Sequence, residues 1–392
     1  MNKQRFSILM GAAFLMATSA IGPGFLTQTT VFTQQHAAAF SFAILVSILL
    51  DIGAQLNIWR ILTVSNYRAQ DLANALFPGL GYLLAGLVVL GGLVFNIANI
   101  GGCGLGLQAL TGMETVYGAI LSCGIALFIF WMKEAGNALD HFTRWLGILM
   151  LLLTLYVAVS SHPPVMAALQ QSIWPDHINT KAVITLVGGT VGGYISFAGA
   201  HRLLDAGISG TSSVKYVNRS AVSGIVITGV MRTLLFLAAL GVVTQGAILD
   251  SGNPPASVFR IAAGEIGYRF FGMVMWSAAI TSVVGAAYTS VSFLKTFHPF
   301  IARQEKWFIT FFIVFSTIVF IAIGNPVQLL ITAGALNGLI LPVALAVMLI
   351  AATRKRLVHD YRHPVWMQIA GWLVVLIMGW LSVLTLKEWM GM

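Results

Sequence analysis

The sequence predicts an all-α integral membrane protein of eleven transmembrane helices. Three observations carry this expectation. First, 58% of the 392 residues are hydrophobic and only 8% are charged, where a soluble domain carries about 25% charged residues. Second, the mean hydropathy is +0.88. Third, apolar runs long enough to cross a bilayer, about 20 residues each, follow one another along the whole chain. None shows the two-residue alternation of a barrel strand, so they read as helices. A water-soluble enzyme, a disordered chain and a disulfide scaffold are excluded on these grounds.

The eleven segments run approximately over 7–33, 37–59, 79–110, 115–132, 143–161, 181–205, 219–245, 268–293, 307–324, 327–353 and 364–386. Loop chemistry separates them: Gly136-Asn137, His162-Pro163-Pro164, Asn253-Pro254-Pro255, Asn325-Pro326 and His363-Pro364. Residues 1–392 form a single transmembrane domain. Its halves are approximately 7–161 and 181–353, with one extra helix at 364–386. Cys103 and Cys123 lie inside apolar runs and read as small packing residues. No cleavable signal is evident, because the apolar run after Lys3 and Arg5 continues past signal-peptide length.

The net charge of +9 reads as topology, with no nucleic acid implied. With the N-terminus inside, sixteen of the 21 Lys and Arg fall on the inner side and four on the outer. The remaining one, Arg232, falls inside a span. Basic residues concentrate on cytoplasmic loops. The expected placement is therefore a multi-pass protein of the cytoplasmic membrane, with the N-terminus cytoplasmic and the C-terminus extracytoplasmic.

Two spans carry helix-breaking sequence at corresponding places. Span 1 contains Ile21-Gly22-Pro23-Gly24-Phe25, and span 6 contains Gly188-Gly189-Thr190-Val191-Gly192-Gly193-Tyr194. Proline removes a helix donor and glycine relaxes the backbone. Irregular backbone at membrane depth is tolerated only where it lines a cavity or is buried in protein. The two segments are five spans apart, so the second half is inverted relative to the first. Interrupted helices at matching places in inverted halves mark the substrate site of a secondary transporter.

At this point the chain resembles the NRAMP family of LeuT-like transporters over nearly its full length. Gly22-Pro23-Gly24-Phe25 sits where that family has Asp-Pro-Gly-Asn. Gly188 to Tyr194 sits where it has Gly-Ala-Thr-Val-Met-Pro-His. Phe95-Asn96-Ile97-Ala98-Asn99-Ile100-Gly101 resembles a third-helix segment containing an Asp and a Glu. Gly334 to Pro342 resembles a tenth-helix segment ending in Leu-Pro. The resemblance implies a LeuT-like 5+5 inverted repeat plus one helix, with helices 1 and 6 interrupted. It also implies where the chain departs from the family. The metal-ligand positions are occupied by Gly22, Phe25, Gly192 and Tyr194, the tenth-helix Gln by Gly334, and the acidic pair by Asn96 and Asn99.

The residues themselves give the same reading. Mn²⁺ or Fe²⁺ needs carboxylate, imidazole or thioether ligands, and a doubly charged ion in a cavity of low dielectric needs counter-charge. Around the two breaks stand neutral groups: Thr18, Ser19, Thr27, Gln28, Thr190, Tyr194 and Ser196. The amides of a half-helix N-terminus suit a carboxylate. The expected substrate site comprises Ser19, Gly22, Gly24, Phe25, Gln28, Asn96, Asn99, Thr190, Gly192, Gly193, Tyr194 and Asn337. Thr281, Ser282 and Tyr288 are further polar candidates on helix 8, and in LeuT-like relatives helix 8 supplies hydroxyls to sodium.

Two charges stand out deep within spans, Asp51 in span 2 and Arg232 in span 7. Such residues point to function. Two readings of the pair stay open: an ion pair, structural or coupling, and an Arg232 that holds a substrate carboxylate. His201, Arg202 and Asp205 read as an interfacial cluster, Lys133 to Arg144 as a solvated loop, and His36, His162 and His177 as too dispersed for a metal site.

The functional expectation is a secondary transporter, monomeric in action and without a cofactor, coupled to H⁺ or Na⁺. Its expected cargo is a small organic solute: an amino acid, 5-oxoproline or a similar carboxylate. The alternative is a carrier of divalent Mg²⁺ or Mn²⁺ with an altered site. No paired catalytic carboxylates, His-Glu-x-x-His motif or P-loop suggests an enzyme or an ATP-driven pump.

Overall fold

Proline marks where several helices begin. A proline in the first turn lacks only an N–H that would be unpaired there anyway, and Pro23, Pro254 and Pro326 each open a helix in this way. The computed structural model describes residues 17, 20–295 and 297–391, and of 133–144 the helical backbone alone.

The first half holds α1 (Pro23–His36), a 3-10 turn at Ala37–Ala39, α2 (Phe40–Ser65), the short α3 (Ala69–Leu76), α4 (Leu80–Thr111), α5 (Thr115–Trp131) and α6 (Lys133–Ser160). A short α7 (Val165–Ile173) leads to the second half: α8 (Thr180–Val191), α9 (Tyr194–Asp205), α10 (Val214–Thr244), α11 (Pro254–Leu294), α12 (Pro299–Arg303), α13 (Glu305–Ile323) and α14 (Pro326–Ala352). The turn α15 (Lys355–Val358) and the long α16 (Val365–Trp389) complete the chain. The described residues contain no strand. The fold is all-α and LeuT-like; the second to eleventh expected segments fall largely on helix, and of the first only residues 17 and 20–33 are described.

Two boundaries differ from expectation. Gly136 and Asn137 lie inside α6, which starts at Lys133, so the solvated loop expected over 133–144 is helical; its side chains lie outside the described residues. The eighth segment begins at Pro254, well before 268, and bends at Gly264, whose φ is 66°. The prolines there start a helix and do not terminate one. The span 6 break is also narrower than its glycine run. Gly188 and Gly189 are helical, and the chain leaves the helix only at Gly192.

Gly188 serves close packing, as small residues do between membrane helices. A Cβ on it would overlap the backbone of Gly334 and Gly338 on α14. The site is thereby drawn together, because α8 and α14 approach at backbone distance. A second apolar core joins α4, α5, α11 and α13 through Ile97, Ile100, Ala119, Ala126, Ile280 and Phe320. Cys103 and Cys123 are buried within it as free thiols.

The last helix is fastened at one end of α2. His363 Nε2 donates to Asn57 Oδ1 (2.7 Å), while Asn57 Nδ2 donates to the Met367 carbonyl (3.0 Å). The Tyr361 hydroxyl bridges Arg60 and His363 Nδ1. Burial and then the Arg60 charge push the His363 pKa down to about 4.

Two predictions follow from this packing. Gly188→Ala should cost about 2 kcal/mol or more by overpacking, whereas Gly147→Ala, in open space on α6, should be neutral or slightly stabilising; thermal unfolding of the purified protein compares them. His363 binds a proton near pH 6.5 in the unfolded chain but only near 4 in the fold. Stability is therefore complete above pH 6.5 and falls as the pH is lowered towards 4. His363→Gln should flatten that fall in a melting-temperature series.

Candidate substrate site

The first break is a single extended residue. Ile21 N still donates to the Ala17 carbonyl (2.8 Å), closing the preceding turn. Gly22 is then extended (φ −102°, ψ −174°), and α1 starts at Pro23. The second break has two residues. Gly192 is extended, Gly193 takes φ 50° and ψ −125°, and α9 starts at Tyr194. A side chain at Gly193 would be strained by this backbone and would also overlap Asn337 Oδ1. The carbonyl that α8 leaves unpaired at Val191 accepts from Ser196 Oγ at 2.6 Å.

Side chains from α1, α4, α11 and α14 converge on these breaks. Ser282 Oγ and Asn99 Oδ1 flank Gly22, 3.1 and 3.8 Å from where its Cβ would stand. The Tyr194 hydroxyl faces the Asn99 amide, and the Tyr194 ring meets Phe95 edge-on at 5.7 Å. Gln28 Nε2 donates to the Leu330 carbonyl (2.8 Å), and Gln28 Oε1 lies against Gly189. Asn337 Nδ2 donates to the Gly91 and Ala333 carbonyls (3.0 and 2.9 Å), which turns its oxygen to Gly193. Gly24 stands beside Gln28, Phe95 and the Leu330 carbonyl. Buried and without a hydrogen-bond partner among the described residues are Ser282 Oγ, Asn99 Nδ2, Gln28 Oε1 and Asn337 Oδ1. The side chains gathered here are thus neutral, and they keep both donors and acceptors unpaired among the described residues.

Two expected residues hydrogen-bond to other partners, and a third is not described. Asn96 Nδ2 donates to Ser316 Oγ on α13 at 3.2 Å, away from Gly22. Thr190 Oγ1 donates to the Leu186 carbonyl (2.9 Å) and faces the Asp51 carboxylate. Ser19, like Thr18, lies outside the described residues. Thr185 and Ser290 are buried at the site with orphaned hydroxyls, and the sequence reading did not single them out. The signal for Thr185 was its position one turn before Gly189 on the same face. Ser290 carries no local signal, since it is defined by its contact with Gly92 across helices.

The two intramembrane charges flank the breaks. Arg232 stacks over the Phe25 ring, 4.3 Å from its centroid. Asp51 faces Thr190, in the last turn of α8. The expected ion pair is not formed as direct contact: among the described residues no N–O distance of 4 Å or less joins them. Arg232 is nonetheless the charged group that acts on Asp51, and the reverse holds.

Other clusters are structural or remote. His201 Nε2 accepts from Ala69 N (3.2 Å) between the Phe197 and Phe293 rings, and Asp205 pairs with Arg68. His36 and His177, expected to be far apart, touch at 3.2 Å, because the segment before α8 folds onto the end of α1. Asn179 completes that contact at 2.9 Å, and among the described residues no three His, Cys, Asp or Glu come together as metal ligands.

An all-helical membrane bundle with two interrupted helices crossing beside a buried polar lining defines a LeuT-like transporter. More narrowly, the chain belongs to the Nramp family, whose model, described as natural resistance-associated macrophage protein-like, matches residues 13–388. It is 58% identical over 381 residues to the membrane protein YcsG of Bacillus subtilis, covering 97% of this chain and 94% of that protein. Its fold is similar to that of the Eremococcus coleocola manganese transporter, with TM-score 0.76 and 16% identity over 99% of this chain and 88% of that one. It is also similar to MhsT in complex with L-phenylalanine, with TM-score 0.67 and 14% identity over 96% and 97% of the two chains.

Gly193→Ala should lower stability by about 1–3 kcal/mol from backbone strain and displace Asn337. Gly86→Ala, in open space on α4, is the control, and melting temperatures compare the two.

Proposed function

We propose that the chain is a secondary active transporter that carries a small organic solute by alternating access. The solute is an amino acid, 5-oxoproline or a similar carboxylate. One observation carries the reading. The groups gathered at the two breaks are hydroxyls, amides and aromatic rings, and the positions that the resemblance assigns to metal ligands are Gly22, Phe25, Gly192 and Tyr194. Such groups hydrogen-bond an organic solute well and compensate a doubly charged ion poorly. Glycine at Gly22 adds room where an aspartate would add charge. The backbone amides at the start of α1 and α9 suit an anionic group.

The fold alone does not choose the cargo, since function resides in the site. A manganese transporter and a protein holding L-phenylalanine share this architecture. The driving ion is H⁺ or Na⁺, and Ser282 Oγ beside Gly22 is a hydroxyl available to sodium. One chain suffices for transport, because both breaks and their lining come from a single polypeptide. The excess of basic residues on one side supports a cytoplasmic N-terminus and an extracytoplasmic C-terminus in the cytoplasmic membrane.

Thermal stabilisation of the purified protein tests this reading, with amino acids, organic acids and divalent metals as ligands. A ligand that binds only the folded state adds about 2.7 kcal/mol at a hundred times its Kd. A shift with an organic solute and none with Mn²⁺ or Mg²⁺ is expected. A shift with Mn²⁺ or Mg²⁺ alone would reassign the protein to metal transport.

A further inference from the structure

Asp51 and Arg232 are 1% and 2% exposed, on neighbouring helices α2 and α10. Each is joined to one interrupted segment. Arg232 lies on Phe25, in the first turn of α1, and Asp51 faces Thr190, in the last turn of α8. Both therefore stand at a helix end of their own sign, which adds to the cost of burying them.

The unpartnered atoms are specific. On Arg232 they are Nε and Nη2. These two N–H groups share one edge of the guanidinium, the edge that grips a carboxylate with two parallel hydrogen bonds. Phe25 lies against the guanidinium, 4.3 Å from ring centroid to Cζ, and the Nε–Nη2 edge is buried without a hydrogen-bond partner among the described residues. On the other side Asp51 Oδ1 is buried without a partner, as is Gln55 Nε2 one turn along α2.

Resting on the transporter reading above, we propose that Arg232 is the anchor for the carboxylate of the transported solute. We further propose that Asp51 takes up the proton that accompanies it. The reason is charge balance. Without solute, one guanidinium and one carboxylate are buried together and sum to zero. A solute carboxylate on Arg232 makes the sum negative in a medium of low dielectric, where unbalanced charge is costly. A proton from the water on the side of entry, added to Asp51 Oδ1, restores neutrality and leaves with the solute on the other side. Among the described residues no other titratable group than Arg232 acts on Asp51. Around it α10 presents Arg232, α8 presents Thr190, α9 presents Ser196 to Gln55, and α16 presents Val374 to Gly53.

The test uses the purified full chain and three probes: 5-oxoproline, lactate and alanine, each set against its primary amide. At least one acid should raise the melting temperature while its amide does not. Its affinity should weaken about tenfold for each unit of rising pH, as one linked proton requires. Arg232→Gln should weaken that acid about ten- to a hundredfold. Asp51→Asn should bind the acid with no pH dependence, and in proteoliposomes it should fail to concentrate it under an imposed pH gradient. The double variant removes both buried charges, so it should fold at least as well as the wild type and still lose the acid. That variant decides the matter if Arg232→Gln alone does not fold. Acid binding that survives in Arg232→Gln or in the double variant, or an Asp51→Asn protein as pH-dependent as the wild type, overturns the proposal and leaves the transporter reading standing. Stabilisation of the wild type by Mn²⁺ alone, with none by any acid, overturns both.

Discussion

The hydrocarbon core of a bilayer offers no water to a broken helix, so each backbone group released by a break must find a partner in the protein. This constraint organises the centre of the molecule. Val191 loses its helical partner and takes the Ser196 hydroxyl instead. Ser196 in turn offers its own carbonyl to Trp59 Nε1 at 2.8 Å, fixing α9 against α2. Gln28 holds the Leu330 carbonyl and Asn337 the Gly91 carbonyl, so α1, α4 and α14 are tied at the same depth. The polar side chains that make these bonds gather beside the breaks, and Gln28 Oε1 and Asn337 Oδ1 stay unpaired among the described residues.

The same constraint explains why two glycine-rich stretches behave differently. At Gly188 the helix continues, and the missing side chain admits the backbone of α14. At Gly193 the helix has ended, and the missing side chain permits φ 50° against Asn337. One residue type thus brings two helices to backbone distance and, a turn and a half later, opens one of them.

Much of this was legible in the sequence. Apolar length fixed where helices run, since lipid admits little else. Both breaks were visible as Pro and Gly clusters, and the absence of anionic side chains beside them was plain. What the sequence left open depended on distance across the bundle. Asn96 and Asn99 look equivalent in one dimension, yet Asn96 turns to Ser316 and Asn99 to Gly22 and Tyr194. His36 and His177 are far apart in sequence and meet because a loop folds back. Pro254 and Pro255 read as a loop because proline ends helices, whereas here they begin one. Contact between Asp51 and Arg232 was a fair expectation from charge alone. The structure instead lodges each against a different interrupted helix.

That separation matters for motion. α2 and α10 pack along each other and hold the charges, while α1 and α8 carry the residues those charges touch, Phe25 and Thr190. A change in the tilt of either interrupted helix must alter the surroundings of its attached charge. Two buried charges without direct contact are sensitive to such changes, because their interaction is long-ranged and poorly screened. A tightly bonded pair would resist them. The loose arrangement makes the electrostatic state of the bundle depend on the position of both breaks.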